Sequence, residues 1–141
     1  MRHTILLYNP VSTSPGKQRM PMSLLAIASL VAADYDVEFI DGNLIADPAS
    51  YIIERAQATD ARLLGVSVMP GPQLRQAVPV CKQVKAALPD LNVIWGGYFP
   101  SNHYDVTLKS DFVDYVIVGQ GETAFRQFVD VLHRGGSWDD V

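Results

Sequence analysis

Five short apolar runs punctuate the chain: Thr4–Tyr8, Val37–Ile40, Leu63–Val68, Val93–Trp95 and Tyr115–Val118. They are rich in Val, Ile, Leu and aromatics and end at or beside Asn, Asp, Ser or Gly, as strands do. The runs are continuous rather than alternating, the pattern of strands covered on both faces of a parallel sheet. Between them, apolar residues recur at helical spacing. Pro21–Ala33 carries Leu24, Leu25, Ala28 and Val31. Pro48–Thr59 follows Asp47, an N-cap residue type, with proline at the first helical position. Pro72–Leu88 sets Val78, Cys81, Val84 and Leu88 near one face, and Pro79 either kinks this helix or begins its regular part. Glu122–Arg134 stacks Phe125, Phe128, Val129 and Leu132, then stops at Gly135-Gly136. Tyr98–Phe112 reads as loop with one helical turn.

This βαβαβαβαβα succession predicts an α/β fold: a doubly wound, flavodoxin-like (Rossmann-like) five-stranded parallel sheet with helices on both faces. Strand order 2-1-3-4-5 is expected, with right-handed crossovers throughout. One domain spans residues 1–134, and 135–141 read as the start of a linker to a downstream domain outside this chain.

Composition narrows the function classes. The 141 residues are 48% hydrophobic and 18% charged, enough apolar material for a core and too much for disorder. The formal charge is −4 and the basic residues are scattered, so no nucleic-acid partner is expected. Cys81 is the only cysteine, which excludes an internal disulfide, a zinc cage or a cysteine-held iron–sulfur cluster within the chain. The longest apolar-rich run, Leu24–Ala33, is about half a membrane span. The N-terminal Ile5-Leu6-Leu7 run is too short for a signal peptide. No membrane span and a cytoplasmic setting are therefore expected.

In a doubly wound sheet, ligands bind beyond the carboxyl ends of the strands. Those ends read Asn9-Pro10, Asp41-Gly42-Asn43, Ser67-Val68-Met69-Pro70-Gly71, Gly96-Gly97-Tyr98-Phe99-Pro100 and Gly119-Gln120-Gly121-Glu122. Glycine at four of the five allows backbone to approach a ligand closely, and collected on one edge the glycines point to a large, flat ligand. Glycine also serves tight strand-to-helix turns.

Several chemistries find no support. Gly119-Gln120-Gly121-Glu122-Thr123-Ala124 matches a dinucleotide fingerprint, yet it lies in the last unit rather than the first. The Ser12–Lys17 loop lacks P-loop spacing, and its distance from Pro21 weakens a flavin-phosphate reading. Ser67, Asn9 and Gly119 stand where a phosphoacceptor domain needs acids and a lysine. His3, His103 and His133 are far apart in sequence and without carboxylate pairing, so neither a metal site nor a catalytic triad is expected. Cys81 reads as core and Asp41 as a turn residue.

The strand-end loops resemble the cobalamin-binding domain at the N-terminus of many radical S-adenosylmethionine enzymes, of the anaerobic magnesium-protoporphyrin monomethyl ester cyclase and methyltransferase type. The likeness runs from about Ile5 to Leu132. It is carried by Pro21–Ala28, Val37–Asp41, Leu64–Met69, Trp95–Pro100 and Asp114–Glu122. Ser67-Val68-Met69 stands for the family's S-x-L, and the 26 residues 70–95 separate it from Gly96-Gly97. The resemblance implies that Ser67, Met69, Gly96 and Gly97 line the slot for the cofactor's nucleotide tail. Asn9, Pro21, Val68, Pro70, Tyr98, Phe99, Gly119, Gly121 and Glu122 complete the expected site. A bulky side chain at Gly97 is expected to fill the slot and leave the fold intact.

The family's D-x-H-x-x-G motif is missing. Its aspartate and histidine would fall near Met20 and Met22, which cannot orient or ligate cobalt. The radical branch commonly lacks that histidine, so the resemblance implies cobalamin bound base-off, without a protein imidazole. Met20, Pro21, Met22 and Leu24 would then border the lower face. Gln120 replaces the first Glu of a frequent Gly-Glu-Gly-Glu, and Phe99 lies where a histidine often follows Gly-Gly. The chain itself holds no catalytic residue. The iron–sulfur cluster and S-adenosylmethionine belong to the downstream domain of the parent chain, whose reaction would be methyl transfer or a related radical step. A degenerate, non-binding module of the same fold and a flavodoxin-like nucleotide binder are the alternatives.

Overall fold

The computed structural model describes residues 2–12 and 22–141. Five parallel strands, β1 (Thr4–Asn9), β2 (Asp36–Asp41), β3 (Leu63–Ser67), β4 (Asn92–Gly96) and β5 (Tyr115–Val116), stand in the order 2-1-3-4-5. Six helices join or follow them: α1 (Met22–Val31), α2 (Pro48–Thr59), α3 (Pro72–Ala87), α4 (Tyr98–Asn102), α5 (Tyr104–Leu108) and α6 (Glu122–Arg134). Pro21, the expected start of α1, lies outside the described residues.

Period-2 geometry sorts the strand residues to two cores. Leu6 and Tyr8 of β1 join Leu64, Val66, Val93 and Trp95 beneath α2 and α3, which contribute Ile52, Ala56, Ala77, Cys81 and Val84. Ile5 and Leu7 point the other way and join Leu63 and Ile94 beneath α1 and α6, which contribute Leu24, Val31, Phe125 and Phe128. Every residue of β1 is buried, as befits a central strand covered on both faces.

Local chemistry fixes the helix ends. The Asp47 side chain accepts from Ser50 N at 3.2 Å, and Pro48 opens α2. Gly135, at φ +83°, ends α6. Pro79 neither starts nor breaks α3, which runs through it from Pro72. Pro79 has no N–H for the Arg75 carbonyl, but both residues are exposed, so water can serve that carbonyl.

Two expectations are corrected. Tyr98–Phe112 is not mostly loop: α4 and α5 occupy it, meeting at His103. Phe99 and Phe112 pack against the α2/α3-side core, and that burial orders the segment. β5 is also shorter than the apolar run Tyr115–Val118, although Ile117 N still donates to Trp95 O at 2.9 Å. After α6, a single 3-10 turn at Trp138–Asp140 lays the Trp138 ring 6.0 Å from Tyr115 and 5.5 Å from Phe128.

Candidate functional site

The carboxyl ends of β1, β3, β4 and β5 open into a cavity of about 780 Å³ on the α1/α6 side of the sheet. That volume falls within the range of small-molecule and cofactor sites. Its inner walls are apolar: Leu7, Ile94 and Ile117 from the sheet, Leu24 and Ile27 from α1, and Phe125 from α6. Polar groups gather at strand ends and helix starts, among them Asn9, Ser23, Ser67 and Gln120. Glu122 is the one charged residue among the described lining residues, and none is a histidine.

Eight of the residues expected from sequence come together here: Asn9, Ser67, Met69, Gly96, Gly97, Gly119, Gly121 and Glu122. Four do not line the cavity. Val68 is fully buried in the opposite core, because it alternates with Ser67. Its main chain is nevertheless structural: Val68 N donates to Gly96 O at 2.9 Å and Val68 O accepts from Phe99 N at 3.1 Å. Pro70 and Tyr98 are exposed outside the lining. Phe99 packs on the α2/α3-side core and against the His103 ring, centroids 4.9 Å apart. Pro21, the thirteenth, is outside the described residues.

The two glycines after β4 differ. A Cβ on Gly96 would meet nothing within 4 Å and would stand in open space. Gly97 has φ +103°, and a Cβ there would approach Val68 O to 3.0 Å and Val68 N to 3.1 Å. Any side chain at 97 therefore strains the backbone, and the expectation that a bulky Gly97 replacement leaves the fold intact is corrected.

Polar side chains, Gln73 buried and Gln76 and Ser101 half-buried, hold the rim loops, and sequence reasoning missed them. Gln73, in the first turn of α3, donates from Nε2 to Asn9 Oδ1 at 2.9 Å and to Pro10 O at 3.0 Å. Its Oε1 accepts from Met69 N at 2.9 Å. One helical turn on, Gln76 Oε1 accepts from Tyr8 Oη at 2.7 Å and Val11 N at 2.8 Å. Ser101 Oγ accepts from Gly119 N at 2.9 Å and fixes the loop after β5. Two glutamines three apart at a helix start were the available signal, since amides there can reach preceding loops. Gly65, in the middle of β3, also lines the cavity and was not singled out.

Tyr8, Cys81 and Asp41 lie outside the cavity lining and have structural surroundings. Burial pushes the Tyr8 phenol pKa up, so it remains a neutral donor to Gln76. Burial likewise pushes the Cys81 thiol up to about 12, leaving it an inert core residue. Asp41 accepts from Asn43 N at 3.0 Å and Asn43 Nδ2 at 2.9 Å, the turn role expected of it. Among the described residues, no group of three His, Cys, Asp or Glu stands where it could hold a metal ion.

Distance in sequence misleads for two histidines. The His3 and His133 rings lie 4.8 Å apart, with Tyr35 5.2 Å from His133. The pair sits beside the amino end of β1, away from the cavity. His133 Nδ1 is 3.0 Å from Val129 O, and burial holds its pKa below the ordinary value.

A family model described as the B12 binding domain matches residues 9–129. The chain is 29% identical to the anaerobic magnesium-protoporphyrin IX monomethyl ester cyclase of Synechocystis sp., across 97% of this chain and 29% of that protein. It thus spans less than a third of that relative's length. The fold superposes on the radical S-adenosylmethionine methyltransferase TsrM from Kitasatospora setae, solved with cobalamin and a [4Fe-4S] cluster bound. There the TM-score is 0.81 at 19% identity, over 98% of this chain and 26% of that one. The cobalamin-dependent S-adenosylmethionine radical enzyme OxsB, solved with aqua-cobalamin and S-adenosylmethionine, also scores 0.81 at 19% identity, over 98% and 20%.

Proposed function

The chain belongs to the B12-binding domain family, and from that premise we propose that it binds cobalamin base-off, without a protein imidazole, as one domain of a radical S-adenosylmethionine enzyme. One observation carries the reading: the apolar cavity of about 780 Å³ opens beneath Ser67, Gly96 and Gly97, and no described lining residue is a histidine. The residues fit the group. Gly96 leaves open the space that a Cβ would fill. Inside, Leu7, Ile94, Ile117 and Phe125 offer the apolar surface that a flat aromatic base requires. Ser67 and Asn9 supply hydroxyl and amide groups for ribose and phosphate.

At the mouth, Met22 and Met69 are exposed lining residues and would offer thioethers, not an imidazole, to a bound corrin. Bound cobalamin supplies organometallic methyl-transfer or radical chemistry; the chain's part is to seat and orient it. The catalytic partner is the cluster-bearing domain of a longer parent chain, with residues 135–141 leading towards it.

The test is gel filtration of the chain with excess hydroxocobalamin, reading the absorbance spectrum of the protein peak. Co-elution with a base-off spectrum at neutral pH is the expected result. A base-on spectrum refutes the base-off reading, and absence of corrinoid from the peak refutes binding by this chain.

A further inference from the structure

We propose that a second cavity, at the amino end of the sheet, binds a small phosphate monoester with an apolar body. Its lining shares no residue with the cavity at the carboxyl ends of the strands.

This second cavity, of about 530 Å³, lies between the last turns of α3 and the turn that leads from α5 into β5. Lys85, in its wall, donates to Leu91 O just before β4, which places it at the opposite end of the strands from Ser67, Gly96 and Gly119. The chain has four lysines, at 17, 82, 85 and 109, and the last three line this one pocket. A basic pocket thus stands on a chain whose formal charge is −4.

The three lysines differ in what already holds them. Lys85 is committed: its ammonium donates to Pro89 O and Leu91 O, each at 3.0 Å, and pairs with Asp114 at 3.0 Å. Lys82 and Lys109 are exposed and enter none of the described salt bridges. The helix dipole explains neither, since Lys82 stands more than a turn before α3 ends at Ala87 and α5 has only five residues. Lys82 Nζ lies 5.7 Å from the centroid of the Phe112 ring, within cation–π range, which holds this ammonium against the pocket wall. Phe112 is fixed in turn by the core, its ring 5.9 Å from that of Trp95.

Charge and surface select the ligand. Two uncommitted ammoniums match the charge of about −1.5 to −2 on a phosphate monoester near neutral pH better than the single charge of a carboxylate. Lysine suits phosphate as a point charge. Phe112 and Ala86 supply an apolar wall for the organic body of the ester, and the volume falls within the range of small-molecule sites. Asp111, also in the lining, opposes an anion and so gives the test a second sign.

The probe is phenyl phosphate, titrated into the isotope-labelled full chain and followed by amide chemical shifts, with inorganic phosphate and benzoate as comparisons. Shifts should gather at residues 82–86 and 109–112, and phenyl phosphate should bind more tightly than either comparison. Lys82→Gln and Lys109→Gln should each weaken it about threefold and together about tenfold, whereas Asp111→Asn should strengthen it. All three positions are exposed, so the variants should keep the circular dichroism of the parent. Absence of saturable shifts, shifts confined to the carboxyl-end loops, a comparison anion that binds as tightly as phenyl phosphate, or a double lysine variant that binds like the parent would overturn the proposal.

Discussion

The buried Gln73 amide donates to Asn9 Oδ1 across 2.9 Å, tying the first turn of α3 to the end of β1. The same side chain accepts from Met69 N, so one residue holds the loops after β1 and β3 at a set separation. Those loops flank the mouth of the cavity, and Gln73 is 5% exposed. Gln73→Leu strands Asn9 Oδ1, Pro10 O and Met69 N–H together. A stranded buried group costs about 1–3 kcal/mol, so urea unfolding should report a loss of at least about 2 kcal/mol. A variant within 0.5 kcal/mol or so of the parent would show that water replaces the amide.

Gly96 and Gly97 should respond oppositely to substitution. Gly97→Ala forces a side chain into a region of φ that only glycine visits cheaply, at about 1–3 kcal/mol. Gly96→Trp should keep the native circular dichroism and melting temperature while corrinoid binding is lost, because its Cβ points into open space. Thermal melts and corrinoid titration of the two variants side by side check both halves.

His133 gives stability a mild acid dependence. Burial is the main cause of its lowered pKa, opposed by the hydrogen bond with Val129 O and by Asp130, with His3 and Arg62 adding to it. The unfolded chain, at the ordinary value near 6.5, therefore takes up this proton before the folded chain does. Stability is unaffected by this group above pH 6.5 and declines as pH falls below it, until the folded value is passed. His133→Phe keeps a ring against His3 and Tyr35 and should flatten the urea-unfolding profile below about pH 6.5. A slope unchanged by the substitution would assign the dependence elsewhere.

Trp138 fastens the last turn to the sheet edge through Tyr115 and Phe128. Trp138→Ala should cost about 0.5–1.5 kcal/mol and increase proteolysis after α6, because half of the ring is solvent-exposed and only the stacked half is lost. Limited proteolysis with mass analysis reads this directly.

The sheet was legible because its signals are local and repeated. Asp47-Pro48 and Gly135-Gly136 are strong punctuation, and the helices they bound, α2 and α6, begin or end there. Continuous Val/Ile/Leu runs identified parallel strands, and compact early units implied the order 2-1-3-4-5. Eight of the thirteen residues expected at the site from the edge-binding rule and the resemblance line one cavity. Val68 lies outside that cavity because a strand end alternates faces, which a motif read as a string ignores. The α4–α5 segment failed because two five-residue helices broken at His103 are too short to show a period. Gln73, Gly65 and the His3–His133 pair depend on partners far along the chain, and no local pattern announces such contacts.

The two outermost strands bear on how the protein behaves at high concentration. An exposed strand edge is a template for addition of another chain, the first step towards aggregation. β5 offers only two residues to such a guest. β2 is longer but carries Asp36, Glu38 and Asp41, with Glu38 gripped by Arg55 at 2.7 Å and Asp36 by Arg2 at 3.3 Å. An incoming strand would have to displace those pairs or bury their charges. Brevity at one margin and fixed charge at the other keep the sheet from growing sideways, so the broad apolar interior of the fold is not matched by an adhesive rim.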